Sequence, residues 1–105
     1  MSAHIHIAIF RWKPTADIKA VEAALSDIEN LATKVPGIIH ISIGESRSAY
    51  SEGYTHVILV RGESAQAIES YRNHPEHKSA AAIIESYEDN GIGIDYIANE
   101  FESTA

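Results

Sequence analysis

The stretch HIHIAIFRW, residues 4 to 12, constrains the fold of this chain more than any other. Its composition, rich in isoleucine and aromatic residues and ended by Lys13-Pro14, predicts a β-strand. Because both faces of that strand would be largely apolar, we expect it in the middle of a sheet, covered on both sides. One face carries His4, His6, Ala8, Phe10 and Trp12, and the other carries Ile5, Ile7, Ile9 and Arg11.

The remaining sequence alternates between helical and extended patterns. Apolar residues recur every three or four positions in the helical segments, and Val- and Ile-rich runs mark the strands. The resulting β-α-β-β-α-β order predicts one α+β domain over residues 1–105 with a ferredoxin-like architecture, in which helices cover one face of a four-stranded antiparallel sheet. After the first strand, the predicted elements are a helix from Thr15 or Asp17 to about Lys34, strands at 38–44 and 54–62, a helix from Ser64 to about Asn73, a helix at 76–89 and a strand at 91–101.

The second face of this sheet would have no helix to cover it. An exposed apolar sheet face of this kind is typical of an interface. Two such sheets can pack face to face around a two-fold axis, so we expect a homodimer. The predicted interface residues are Ile5, Ile7, Ile9, Val57 and Leu59.

Composition excludes several classes of function. The formal net charge of −7 argues against nucleic-acid binding, which requires a basic surface. The absence of cysteine rules out disulfides, thiolate metal sites and a cysteine nucleophile. No apolar run reaches the roughly 20 residues of a membrane span, and the N-terminus lacks the pattern of a secretory signal. We therefore expect a cytoplasmic protein that binds neither nucleic acid nor membranes.

The segment YRNHPEHKSA, residues 71 to 80, joins the two parts of the second helix. His74 can act as the N-cap of the second part, which places Pro75 at the first helical position and His77 in the first turn. The positive end of the helix dipole disfavours a protonated imidazole there, so His77 would be a neutral base. Tyr71, about one turn before His74, can reach the same space and donate a hydrogen bond to a carbonyl oxygen.

Two further histidines fall on the helix-facing side of the predicted sheet. His6 and His56 share that side in strands one and three, so we expect them to converge with Tyr71 and His77 on one cavity. Ile41, which we place on the inward side of strand two together with Ile39, joins the predicted lining. Taken singly, each of these histidines could instead be a core residue with its nitrogens satisfied.

Three stretches resemble the stress-responsive dimeric α/β-barrel family: HIAIFRWK at 6–13, EGYTHVILV at 52–60, and YRNHPEHKSA followed by IDY at 94–96. The resemblance covers nearly the whole chain. This family includes plant stress proteins without established chemistry, a cofactor-independent polyketide cyclase and a hydroxynitrile lyase. It implies the dimeric barrel fold.

The resemblance also implies roles for individual residues. His77 matches the general base of the cyclase and Tyr71 its partner, whereas His6 and His56 match residues that line the substrate pocket. Ile28, Gly91 and Gly93 stand where the cyclase has a tyrosine and two bulky aliphatic side chains. These departures predict a pocket of different shape and a different substrate.

The favoured function is cofactor-free proton transfer at a carbon acid, leading to cyclisation, isomerisation or lyase chemistry on a small molecule. One alternative is a non-catalytic, stress-related structural or ligand-binding dimer. Others are a cofactor-free monooxygenase-like enzyme and a metal site formed by His6, His56 and His77; we expect neither metal nor cofactor. The glutamates at 45, 52, 63, 85 and 88 are predicted to be solvent-exposed surface charges.

Overall fold

Four strands form one antiparallel sheet in the computed structural model, which describes residues 2–99. The sheet order is β2-β3-β1-β4, so the doubly apolar first strand is central, as predicted. The end of the predicted fourth strand, residues 100 and 101, lies outside the described residues. The strands are β1 (Ser2–Trp12), β2 (Ile38–Glu45), β3 (His56–Gly62) and β4 (Glu88–Asn99).

Three helices pack on one face of this sheet: α1 (Ile18–Glu29), α2 (Ala65–Asn73) and α3 (Pro75–Tyr87). The predicted caps begin them. Asp17 accepts hydrogen bonds from the first turn of α1, and Ser64 does the same for α2. A short 3-10 helix, Asn30–Thr33, follows α1. The architecture is the ferredoxin-like α+β fold, with the second helix broken into α2 and α3.

The hydrophobic core lies between the helices and the inward face of the sheet. Burial of this apolar surface supplies the main favourable term in folding. The core is formed by Val21, Ala24, Leu25, Ile28, Leu31, Val35, Ile38, Ile41, Ile58, Val60, Ala67, Ile68, Tyr71, Ala80 and Ile84. No helix within the described chain is long and apolar enough to cross a membrane.

Strand β2 departs from the predicted alternation. The register of its pairing with β3 shifts between Ile38 and His40, which inserts an extra residue into β2. Ile38 and Ile41 are therefore both buried, whereas Ile39, predicted to face inward, is 54% exposed. The cause is this irregularity in strand pairing, which depends on the partner strand.

The opposite face of the sheet, here called the outer face, is apolar and has no helix over it within residues 2–99. On this face Ile7 lies opposite Leu59 of β3 and Ile94 of β4. Ile5 is buried, but Ile94 and Tyr96 remain 48% and 47% exposed. Strand β4 thus adds apolar residues to this face that the predicted set does not include. The outer face comprises Ile5, Ile7, Ile9, Val57, Leu59, Ile92, Ile94 and Tyr96.

Candidate active site

A cavity of about 310 Å³ lies between the inward face of the sheet and the helices. Its walls are mostly apolar, and polar side chains reach it from β1, α2, α3 and the first residue of β4. The apolar lining residues are Ala8, Phe10, Ile28, Ile58, Ala81 and Ile84. The polar and charged lining residues are His6, Tyr71, Arg72, His77, Glu85 and Glu88.

Tyr71 and His77 meet at this cavity, where the sequence of the helix joint indicated that they would. Their ring centroids are 4.6 Å apart with the planes at 70°. His74 caps α3 by accepting a hydrogen bond from the Glu76 amide at its Nδ1, and Pro75 follows at the first helical position. This joint ends α2 just after Tyr71 and starts α3 just before His77, which brings the two side chains together.

Burial shifts the pKa values of both the Tyr71 phenol and the His77 imidazole. Tyr71 is 1% exposed, and desolvation raises the pKa of its phenol, so the hydroxyl stays protonated and can act as a donor. Its hydroxyl forms no hydrogen bond within residues 2–99. Burial, followed by the positive charges of His6, Arg72 and His74, lowers the pKa of His77 below 6.5. The imidazole of His77 is therefore neutral near pH 7, as a general base must be.

His6 lines the same cavity and is held by a carboxylate that the sequence did not single out. Its Nδ1 lies 2.6 Å from Oδ1 of Asp95, directly across the sheet from it. The same Nδ1 lies 3.1 Å from a guanidinium nitrogen of Arg72, so the imidazole is held between Asp95 and Arg72. Arg72 donates to the other Asp95 oxygen at 2.5 Å, and this bond, with the one from His6, lowers the pKa of Asp95.

His56 does not join this group. Its Nδ1 accepts a hydrogen bond of 2.8 Å from the Trp12 indole. Its buried Nε2 forms no hydrogen bond in the described chain and lies 3.5 Å from Oε1 of Glu45. It lines a separate cleft of about 260 Å³ beside α1. Trp12 also stacks on Phe10, with ring centroids 5.3 Å apart. The Trp12 ring packs against His56, and the Phe10 ring, not His56, lines the cavity.

The positions of the three histidines do not support a metal site formed by His6, His56 and His77. His6 and His77 line one cavity and His56 another, so the three do not converge. No group of three or more His, Cys, Asp or Glu side chains within residues 2–99 is placed to hold a metal ion.

The other predicted lining residues divide in the same way. Ile28 lines the cavity, but Ile41 is buried in the core and does not. Neither Gly91 nor Gly93 lines the cavity, contrary to prediction. Gly93 lies opposite Ala8, and a Cβ built on it would have no atom within 4 Å. Gly91 lies opposite Phe10, and a Cβ there would fall 2.5 Å from Oε2 of Glu88.

Sequence comparison places this geometry among known proteins. Residues 5–98 match the family model described as Stress responsive A/B Barrel Domain. The chain is 28% identical over 101 residues to a stress-response A/B barrel domain-containing protein of Arabidopsis thaliana, covering 94% of this chain and 38% of that protein's length. It is 25% identical over 93 residues to olivetolic acid cyclase of Cannabis sativa, covering 87% and 92% of the two chains.

Solved structures share the fold at lower sequence identity. A dimeric ferredoxin-like protein of unknown function from Jannaschia superposes with a TM-score of 0.82 at 20% identity, covering 90% of this chain and 97% of that one. Hydroxynitrile lyase from Passiflora edulis superposes with a TM-score of 0.81 at 19% identity, covering 96% and 97%.

Proposed function

The chain belongs to the stress responsive A/B barrel domain family, and from this premise we propose that it is a homodimeric enzyme that moves a proton at a carbon acid without a cofactor. His77 is the general base, and Tyr71 is its hydrogen-bonding partner. The reaction class is cyclisation, isomerisation or carbon–carbon bond cleavage of a small carbonyl compound. Two relatives support this class by their names, one a cyclase and the other a lyase.

In this mechanism the neutral imidazole of His77 removes a proton from the carbon next to a carbonyl group. The electron pair left on carbon delocalises onto the carbonyl oxygen, which becomes an enolate. The Tyr71 hydroxyl, whose raised pKa keeps it protonated, donates a hydrogen bond to that oxygen. Protonated His77 then returns its proton to the product. His6, held between Asp95 and Arg72, orients the polar head of the substrate beside His77.

One observation carries the proposal: Tyr71 and His77 contact each other at the wall of an open cavity. Had these side chains pointed apart, or had Ile28 and Leu25 filled the space, a non-catalytic protein would be favoured. Instead a volume of about 310 Å³ remains, at the lower end of the range of about 300–1,000 Å³ for small-molecule sites. The apolar walls and the polar group at His77 suit a compound with an apolar body and a carbonyl head.

The homodimer is proposed to form through the outer face. Exposed apolar residues there, including Ile94 and Tyr96, are the expected core of an isologous interface. The Jannaschia neighbour, which has the same fold, is dimeric, and this supports a dimer of the present chain. In such a dimer the cavities lie on the helix side of each sheet, away from the interface.

The rate of the reaction should depend on pH with an acidic limb whose midpoint lies below 6.5. The reason is that burial and neighbouring positive charges lower the pKa of His77, so the neutral base persists to lower pH. A rate profile between about pH 5 and 8 tests the position of this acidic limb. A midpoint of the rate profile at or above 6.5 would argue against His77 as the base.

The lowered pKa of His77 also affects stability. The folded state binds that proton less readily than the unfolded chain, so the free energy of unfolding falls as pH drops through 6.5.

A further inference from the structure

The cavity has a second polar end, which the proposed reaction does not use. Glu85 and Glu88 line it together with His77, all from α3 and the residue that follows it. His77 and Glu85 are eight residues apart, which corresponds to about 12 Å along a helix. Along the facing strand β1, the distance from His6 to Phe10 is about 13 Å. The cavity is therefore elongated, with His77 and His6 at one end and the carboxylates at the other.

Glu88 is held at this end by a gap in β4. Gly91 lies opposite Phe10, and the Glu88 carboxyl occupies the place where a side chain on Gly91 would be. A Cβ on Gly91 would fall 2.5 Å from Oε2 of Glu88 and 3.5 Å from Cδ1 of Phe10. The carboxyl group thus lies beside the Phe10 ring at the edge of the cavity.

No cation in the described part of the chain is paired with these carboxylates. Neither Glu85 nor Glu88 forms an ion pair within residues 2–99, whereas Arg72, at the other end of the cavity, is already paired with Glu69 and Asp95. Partial burial and the neighbouring Glu85 raise the pKa of Glu88, which reflects the mutual repulsion of two negative charges in a partly desolvated place. A third negative charge brought into this end would be repelled by both.

We infer that Glu85 and Glu88 select the far end of the ligand: a compound whose carbonyl head lies at His77 must end in a neutral or positively charged group about 12 Å away. Compounds that end there in a carboxylate or phosphate are rejected. This inference rests on the proposed function, because it requires a carbonyl compound in the cavity. It narrows the substrate class to uncharged or cationic carbonyl compounds.

The test uses three straight-chain methyl ketones of equal length that end in a hydroxyl, a trimethylammonium or a carboxylate group. Dissociation constants are measured by NMR titration for the wild-type protein and for the double variant Glu85→Gln/Glu88→Gln. The wild type should bind the carboxylate compound at least about tenfold more weakly than the hydroxyl compound. In the double variant the two dissociation constants should agree within about twofold, because glutamine keeps the shape and removes the charge.

A second double variant, Glu22→Gln/Glu29→Gln, is the matched control. It changes the net charge by the same amount, but both residues lie on α1 and neither lines the cavity. Selectivity in this control should remain that of the wild type. The inference is overturned if the wild type binds the hydroxyl and carboxylate compounds equally, or if the control loses selectivity as completely as the Glu85/Glu88 variant. If none of the three ketones binds, the proposed function fails along with it.

Discussion

Replacing His77 with alanine should lower turnover by about 10²–10⁴-fold, the usual contribution of a positioned general base. His77 is the neutral imidazole nearest the Tyr71 phenol, with the ring centroids 4.6 Å apart, and it lies on the cavity wall. The measurement compares small-molecule extracts after incubation with wild-type protein and with the variant, using mass spectrometry. A compound that the wild type consumes and His77→Ala leaves unchanged identifies the substrate.

His74→Ala is the control from the same segment. His74 caps α3 by accepting the Glu76 amide hydrogen bond and does not line the cavity. Its loss should cost about 1 kcal/mol of stability, the usual value of an N-cap, and should lower turnover far less than the loss of His77, because His74 does not line the cavity. Equal consumption of every compound by wild type and His77→Ala would remove His77 from the proposed role.

The variant Ile7→Glu should not form the dimer. Ile7 lies at the centre of the outer face, between Leu59 and Ile94, so a glutamate there would bury an unpaired charge in the interface. Light scattering coupled to size exclusion should give twice the 11.5 kDa of one chain for the wild type. For the variant it should give one chain mass or polydisperse aggregates.

Ile83→Glu provides a matched substitution away from the interface. Ile83 is 41% exposed on α3, on the helix side of the sheet, so this variant should remain dimeric. A dimeric Ile7→Glu variant, or a monomeric wild type, would contradict the proposed interface.

Local patterns in the sequence predicted most of the fold. The apolar residues on both faces of β1 indicated a central strand, and Asp17, Ser64 and His74 cap the helices as expected. What the pattern could not give is the irregular pairing of β2, because a bulge depends on the partner strand. For that reason Ile39 was assigned to the wrong side of the sheet.

In the candidate site too, contacts between residues close in sequence could be predicted, and contacts that depend on strand pairing could not. Tyr71 and His77 are separated by one capped helix joint, so short-range rules bring them together. His6 and Asp95 meet only through the pairing of β1 with β4, which no local signal specifies. The alternation of residues in β3 predicted the face of the sheet on which His56 lies. It could not predict that Phe10 and Trp12 lie between His56 and the cavity.

The position of Glu85 and Glu88 at the cavity could have been found from the sequence. They lie eight and eleven residues after His77, spacings that return to the same face of a helix. Their charge indicated only a solvent-exposed surface, and Glu85 is indeed exposed, yet both residues also line the cavity. Glu88 is only partly exposed because the missing side chain of Gly91 admits its carboxyl group.

The most direct test of the account is hydrogen–deuterium exchange at the carbon next to a carbonyl. The hydroxyl-terminated methyl ketone is incubated with the protein in D₂O, and the loss of its α-proton signals is followed by proton NMR. Wild-type protein should accelerate this exchange well above the buffer rate, and His77→Ala should return it to within about tenfold of that rate. Exchange by His77→Ala as fast as by the wild type, or no acceleration by the wild type, would contradict the assignment of His77 as a carbon-acid base.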